Sequence, residues 1–109
     1  MDFNTFQKEA RKSAIYPHLG SNLSYPTLGL CGEAGEVAEK VKKLFRDKKG
    51  KADIQFKTEL LKELGDVLWY LSSLTSELGF ELDDVARINV EKLNSRMKNN
   101  KIHGDGDNR

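Results

Sequence analysis

Two short acidic pairs are the residues of this sequence best suited to chemistry. Glu33 and Glu36 occur in "GLCGEAGEVAEKVKK", and Glu63 and Asp66 occur in "KELGDVLWYL". Residues three apart lie on one face of a helix, so each pair directs two carboxylates to the same side. If the two segments are antiparallel neighbours, all four carboxylates meet at one margin of the helical core.

A cluster of four carboxylates is unfavourable unless a cation neutralises it. One like-charge pair about 4 Å apart costs about 4 kcal/mol at an effective dielectric of about 20. Oxygen-only ligands favour a hard divalent cation, Mg²⁺ or alternatively Mn²⁺, over zinc. Because Mg²⁺ commonly shares its coordination shell with substrate phosphates, the pairs indicate a metal site that serves a phosphate-bearing substrate.

The acidic residues also allow a plainer interpretation. Glu36 with Lys40 and Glu39 with Lys43 are i,i+4 pairs of the kind that decorate solvated helices. The recurrence of glycine beside the acids favours a site, since each glycine inside a helix costs roughly 1 kcal/mol relative to alanine. We expect these glycines to leave room for a bulky substrate or for a closely packed second helix.

The sequence contains four segments whose apolar residues recur at helical spacing, and it contains no predicted strand. These helices have to position the carboxylates. They run from residue 3 until Pro17 interrupts the pattern, from near Pro26 to 44, from about Gln55 to Leu78, and from about Asp83, the predicted N-cap, to 97. Gly79 follows the third segment as a predicted C-terminal stop. The third segment also has the broadest predicted core face, which comprises Leu60, Leu61, Leu64, Val67, Leu68, Leu71 and Leu74. We predict an all-α, four-helix, bundle-like single domain over residues 1–109, with 98–109 as a mobile tail.

Composition excludes several classes of partner. The chain has 109 residues, of which 18 are basic and 17 acidic, so a net charge of +1 creates no general attraction for nucleic acid or an anionic membrane. Cys31 is the single cysteine, which favours a reducing compartment. No leader-like or membrane-spanning apolar run is present, and we predict a cytoplasmic protein.

The combination of "LGLCGEAGEVAEKVKK", "KELGDVLWYL" and "EKLNSR" resembles the MazG-type nucleotide pyrophosphohydrolases of the all-α NTP pyrophosphatase superfamily. The resemblance extends over nearly the whole chain, as one domain and without the duplication of longer MazG proteins. It implies an all-α dimer or tetramer that hydrolyses (deoxy)nucleoside triphosphates to monophosphate and pyrophosphate with Mg²⁺. It also implies that the metal ligands are Glu33, Glu36, Glu63 and Asp66.

The resemblance and the helical spacing together suggest further roles. Lys92 and Arg96 match family residues that contact the triphosphate, and Asn89 shares their helix face. One of the second-helix glutamates, Glu33 or Glu36, would accept the proton of the attacking water. Tyr70 lies one turn beyond Asp66, where its ring could pack on a base or ribose, whereas Trp69 is assigned to the core or to a subunit interface.

Two other functions are open at this point. A non-enzymatic helical interaction module accounts for the apolar stripes but not for the acids, and another phosphohydrolase would release orthophosphate. The tail "KIHGDGDNR" is either disordered or a lid over the phosphates. The preferred base and the choice between dimer and tetramer do not follow from the sequence.

Overall fold

The computed structural model describes residues 1–109 and contains four helices and no strand. The helices are α1 (Phe3–Arg11), α2 (Ser24–Lys48), α3 (Ile54–Glu77) and α4 (Leu82–Lys98). The all-α prediction is confirmed, and the predicted starts of the last three helices lie one or two residues beyond the observed ones. None of the helices combines the length and the apolar character that a membrane span requires.

Local hydrogen bonds explain where the helices begin. Asp2 and Asp53 precede α1 and α3, and each side chain accepts a hydrogen bond from the backbone N–H three residues on, at 2.7 and 2.8 Å. The predicted cap of α4, Asp83, is wrong by two positions. The cap is Glu81, whose backbone N–H donates a hydrogen bond to Asp84 Oδ2 at 3.0 Å. Asp84, three residues after the cap, therefore closes the first turn as part of a capping box.

The end of α3 organises the long loop between α1 and α2. The side chain of Glu77 is 0% exposed and accepts a hydrogen bond from Arg11 Nη2 at 2.7 Å. It also accepts the backbone N–H groups of Gly20 and Asn22, at 2.9 and 2.7 Å. Gly79, with φ +81°, then ends the helix as predicted. One buried carboxylate therefore ties three segments of the chain together.

The two long helices, α2 and α3, form a hairpin that brings the acidic pairs side by side. Helix α1 packs against α3 and α4, whereas α4 contacts α1 and α3 and makes no contact with α2. The radius of gyration is 16.7 Å, compared with about 13 Å for a compact domain of this length. Within one chain the four helices therefore do not close into a complete bundle.

The buried core is small, and parts of the predicted apolar faces lie outside it. Leu61 and Leu64 are 67% and 46% exposed, which corrects their assignment to the core face of α3. On α4, Val90 and Met97 are 53% and 62% exposed, and Leu93 is exposed as well. Helical spacing identifies the residues that share a face, but it does not determine which neighbour covers that face.

Candidate metal centre

Three carboxylates from the two long helices converge at one position. Glu33 on α2 and Glu63 and Asp66 on α3 each offer an oxygen, and these oxygens lie within 4.8 Å of one another. Glu33 and Glu63 are half-buried, whereas Asp66 is exposed. The α2–α3 hairpin thus produces the approach of acids from two helices that the spacing predicts.

The negative charge of this group is not balanced by the surrounding protein. Partial burial raises the pKa of Glu33, and the charges of Asp66, Glu63 and Glu36 raise it further. Lys40 provides a single weak counter-charge, with its Nζ atom 3.7 Å from Glu63 Oε1. Three oxygen donors with excess negative charge fit a hard divalent cation such as Mg²⁺.

Glu36 differs from the other predicted ligands. It is exposed, and its carboxylate does not belong to the group of three, although its charge contributes to the raised pKa of Glu33. It lies one turn farther along α2 than Glu33. The structure therefore groups three of the four predicted ligands and places Glu36 at the margin of the group.

A cavity of about 360 Å³ adjoins the carboxylates. Its lining consists of Ser13, Glu33, Asp66, Trp69 and Tyr70. The indole Nε1 of Trp69 donates a hydrogen bond to Ser13 Oγ at 2.8 Å, which fixes the orientation of the ring. The sequence pattern predicts neither residue at the site, because no such pattern connects Trp69 with Ser13, 56 positions away.

A chain of aromatic rings leads from this cavity to the first turn of α2 and the loop that precedes it. Trp69 and Tyr70 meet edge to face with centroids 5.0 Å apart, and Tyr25 lies 6.3 Å from Tyr70. Tyr16 stacks on Tyr25 at 4.6 Å. Burial, followed by the neighbouring Tyr25 and the acids, raises the pKa of Tyr70. Its phenol is therefore a neutral donor beside the carboxylates.

The structure assigns separate roles to the glycines of α2. A Cβ atom on Gly29 would lie within 2.5 Å of three ring carbons of Tyr70, so this glycine permits close packing of α2 on α3. A Cβ atom on Gly32 or Gly35 would meet nothing within 4 Å. The expectation of close helix packing is thus met at Gly29, while the other two glycines leave open space near the acids.

The predicted phosphate-binding residues lie together on α4, away from α2. Lys92 Nζ and Arg96 Nη2 both contact the Asp107 carboxylate, at 3.0 and 3.4 Å, and Asn89 is exposed on the same helix. Because the backbones of α4 and α2 do not pack against each other, one chain does not pack these residues against the helix of Glu33.

Comparison with known proteins identifies the family of the chain. The family model for the MazG nucleotide pyrophosphohydrolase domain matches residues 23–100, so the chain belongs to this family. The Gene 37 protein of Mycobacterium phage L5 is 45% identical over 114 residues, covering 100% of both chains. The uncharacterized protein YvdC of Bacillus subtilis (strain 168) is 35% identical over 74 residues, covering 63% of this chain and 70% of its own. No solved structure matches the chain.

Proposed function

We propose that this protein hydrolyses (deoxy)nucleoside triphosphates to the monophosphate and pyrophosphate in a Mg²⁺-dependent reaction. The observation that carries the proposal is the convergence of Glu33, Glu63 and Asp66 beside an aromatic-walled cavity. A polyphosphate requires neutralisation and positioning more than it requires covalent catalysis. Membership of the MazG nucleotide pyrophosphohydrolase family supports the same reaction class.

The carboxylates divide into two roles in this proposal. Glu33, Glu63 and Asp66 would hold the metal, with Glu36 beside them as the partner of the attacking water molecule. When bound, Mg²⁺ (or Mn²⁺) neutralises phosphate charge and acidifies water. Because Glu36 is exposed and outside the group of three, we assign it as the base that accepts the proton of the attacking water. The water oxygen bonds to the α-phosphorus, and pyrophosphate leaves with the bridging oxygen.

The cavity supports a nucleoside as the organic part of the substrate. Trp69 and Tyr70 supply aromatic surface for a base or ribose, and Ser13 holds the indole in place. The volume of about 360 Å³ is at the lower end of the range for small-molecule sites. The proposed substrate is therefore a nucleotide whose base packs beside the acids.

A second copy of the chain would complete the site. The apolar residues on α4 are exposed, and α4 does not contact α2, so we propose a homodimer or a homotetramer that covers this helix. In the assembly, Lys92, Arg96 and Asn89 would contact the phosphates. We also propose a cytoplasmic location and no nucleic-acid or membrane partner, because the single cysteine suits a reducing compartment and the net charge of +1 gives no general attraction for polyanions.

The test combines product analysis with a matched pair of variants on α3. A panel of canonical and oxidised dNTPs is incubated with Mg²⁺ and scored for pyrophosphate and orthophosphate. We expect Glu63→Gln to lower kcat/KM by about a hundredfold or more. Glu59→Gln changes an exposed acid of the same helix and should retain activity.

Thermal melts provide a second measurement that does not depend on turnover. Mg²⁺ with a non-hydrolysable nucleotide should raise the melting temperature of the wild type and of Glu59→Gln, but not that of Glu63→Gln. Orthophosphate as the sole product would point instead to another phosphohydrolase. If the protein shows no turnover and is not stabilised by Mg²⁺ with nucleotide, the non-enzymatic interaction module is favoured.

A further inference from the structure

The C-terminal segment folds back on α4 as a closed loop, here called the tail clasp (residues 101–109). Arg109 closes it by donating hydrogen bonds to the carbonyls of Lys101 at 3.0 Å, Ile102 at 2.8 Å and Gly106. The backbone N–H of Lys101 donates to the carbonyl of Arg96 at 2.7 Å, which anchors the clasp to the end of α4. In the structure these contacts hold the tail in a folded loop. The mobility of residues 98–109 stays a prediction.

The clasp places an anion on Lys92 and Arg96, two of the cations of α4. Asp107 Oδ1 accepts hydrogen bonds from Lys92 Nζ at 3.0 Å and from Arg96 Nη2 at 3.4 Å. Lys92 foremost, and then Arg96, lower the pKa of Asp107, which keeps its carboxylate ionised at neutral pH. The carboxylate of Asp107 therefore occupies the kind of position that a phosphate oxygen would take.

The clasp covers Arg96 without satisfying it. Arg96 is 6% exposed, and all of its hydrogen bonds to the clasp pass through one terminal nitrogen, to Gly106 O, Asp107 O and Asp107 Oδ1. Its Nε atom is buried and has no acceptor. Buried guanidinium groups are normally paired through several donors, so an acceptor is missing here. A phosphate group, with more oxygens than one carboxylate, could supply it.

We propose that the tail clasp is an internal competitor of the substrate, in which Asp107 occupies the phosphate position on Lys92 and Arg96 until a polyphosphate displaces it. This inference rests on the phosphate-binding role given to these two residues in the proposed function. Since Arg96 is covered by the clasp, a phosphate reaches its guanidinium only when the clasp moves. Binding of polyphosphate and closure of the clasp are then mutually exclusive.

A matched pair of tail variants in the full chain tests the competition. Asp107→Asn keeps the size of the side chain and removes its charge, whereas Asp105→Asn changes an exposed acid that makes no ion pair. We expect Asp107→Asn to lower KM for a nucleoside triphosphate by about threefold to tenfold, with kcat unchanged. This is the effect of losing one or two ion pairs to an exposed carboxylate. Asp105→Asn should behave as the wild type, and added salt should reduce the difference.

Binding of inorganic tripolyphosphate tests displacement of the clasp independently of catalysis. In calorimetry, Asp107→Asn should bind it about threefold to tenfold more tightly than the wild type does. In trypsin digestion, tripolyphosphate should accelerate cleavage after Lys101 in the wild type, because displacement of the clasp exposes that bond. In Asp107→Asn the same cleavage should already be fast without it.

The outcomes distinguish the two proposals. Tighter tripolyphosphate binding by Asp107→Asn, in a protein that hydrolyses no triphosphate, would support the clasp and refute the proposed function. A raised KM or a reduced kcat in Asp107→Asn would show that the clasp orients the cations, and would overturn competition. Equal affinities of the wild type and Asp107→Asn for tripolyphosphate, or no binding by either protein, would also overturn competition by the clasp.

Discussion

Replacing Gly29 by alanine tests the closest approach between α2 and α3. The new Cβ atom would lie within 2.5 Å of three carbons of the Tyr70 ring, whereas non-bonded carbon atoms pack at about 3.5–4.0 Å. The ring or the helix must therefore move by about 1.5 Å. Because Tyr70 lines the cavity beside Asp66, the displacement would reach the candidate site.

The expected magnitude follows from two opposing effects. Alanine is favoured over glycine within a helix by about 1 kcal/mol. Forcing an extra carbon into a packed contact costs about 1–3 kcal/mol. Gly32→Ala receives only the first effect, since its Cβ atom would meet nothing within 4 Å. The free energy of unfolding of Gly29→Ala should therefore be about 1–3 kcal/mol lower than that of Gly32→Ala.

Urea denaturation of both variants, followed by circular dichroism at equal protein concentration, measures this difference. A double-mutant cycle identifies its cause, because Tyr70→Ala removes the ring and should make Gly29→Ala nearly harmless. In activity assays, kcat/KM should fall in Gly29→Ala and be retained in Gly32→Ala. Equal stability of the two glycine variants, or an undiminished penalty in the Tyr70→Ala background, would refute the proposed contact.

Two further predictions concern the buried carboxylate and the exposed face of α4. Burial alone would raise the pKa of Glu77, but Arg11 and two backbone N–H groups lower this pKa overall. The contribution of Glu77 to folding stability is therefore complete above the unfolded-state pKa of about 4.3. It is lost as the pH falls through the lower folded-state pKa. Because Glu77 accepts charged and backbone hydrogen bonds, Glu77→Gln should cost about 2–3 kcal/mol near neutral pH. It should also flatten this acid dependence in melts from pH 7 to 3, and parallel curves for variant and wild type would contradict the prediction. On α4, Val90→Ser combined with Met97→Gln should weaken self-association by about thirtyfold, or roughly 2 kcal/mol. Light scattering across a dilution series measures this change, and Lys98→Gln should leave self-association unaffected. An unchanged mass in the double variant would exclude this face as the subunit contact.

The local features of the fold could be predicted from the sequence because they depend on neighbouring residues. Apolar spacing and capping side chains act within a few positions, so the existence of all four helices and the stop at Gly79 could be predicted. The acidic pairs could also be predicted as one group, because residues three apart share a face and successive helices tend to be neighbours. Glu36 was included in that group because periodicity does not resolve which carboxylates of a face meet.

Tertiary structure alone decided the contacts between distant segments. The bond from Trp69 to Ser13, and that from Glu77 to the loop at Gly20, depend on how α1 and its loop pack on α3, and no local pattern encodes this packing. The contact of Asp107 with α4 likewise depends on the path of the tail. An apolar stripe shows that a helix requires a partner, but the identity of that partner is set by the free energy of the whole arrangement. The sequence by itself therefore determined the helices and their acids, and the tertiary structure determined what surrounds them.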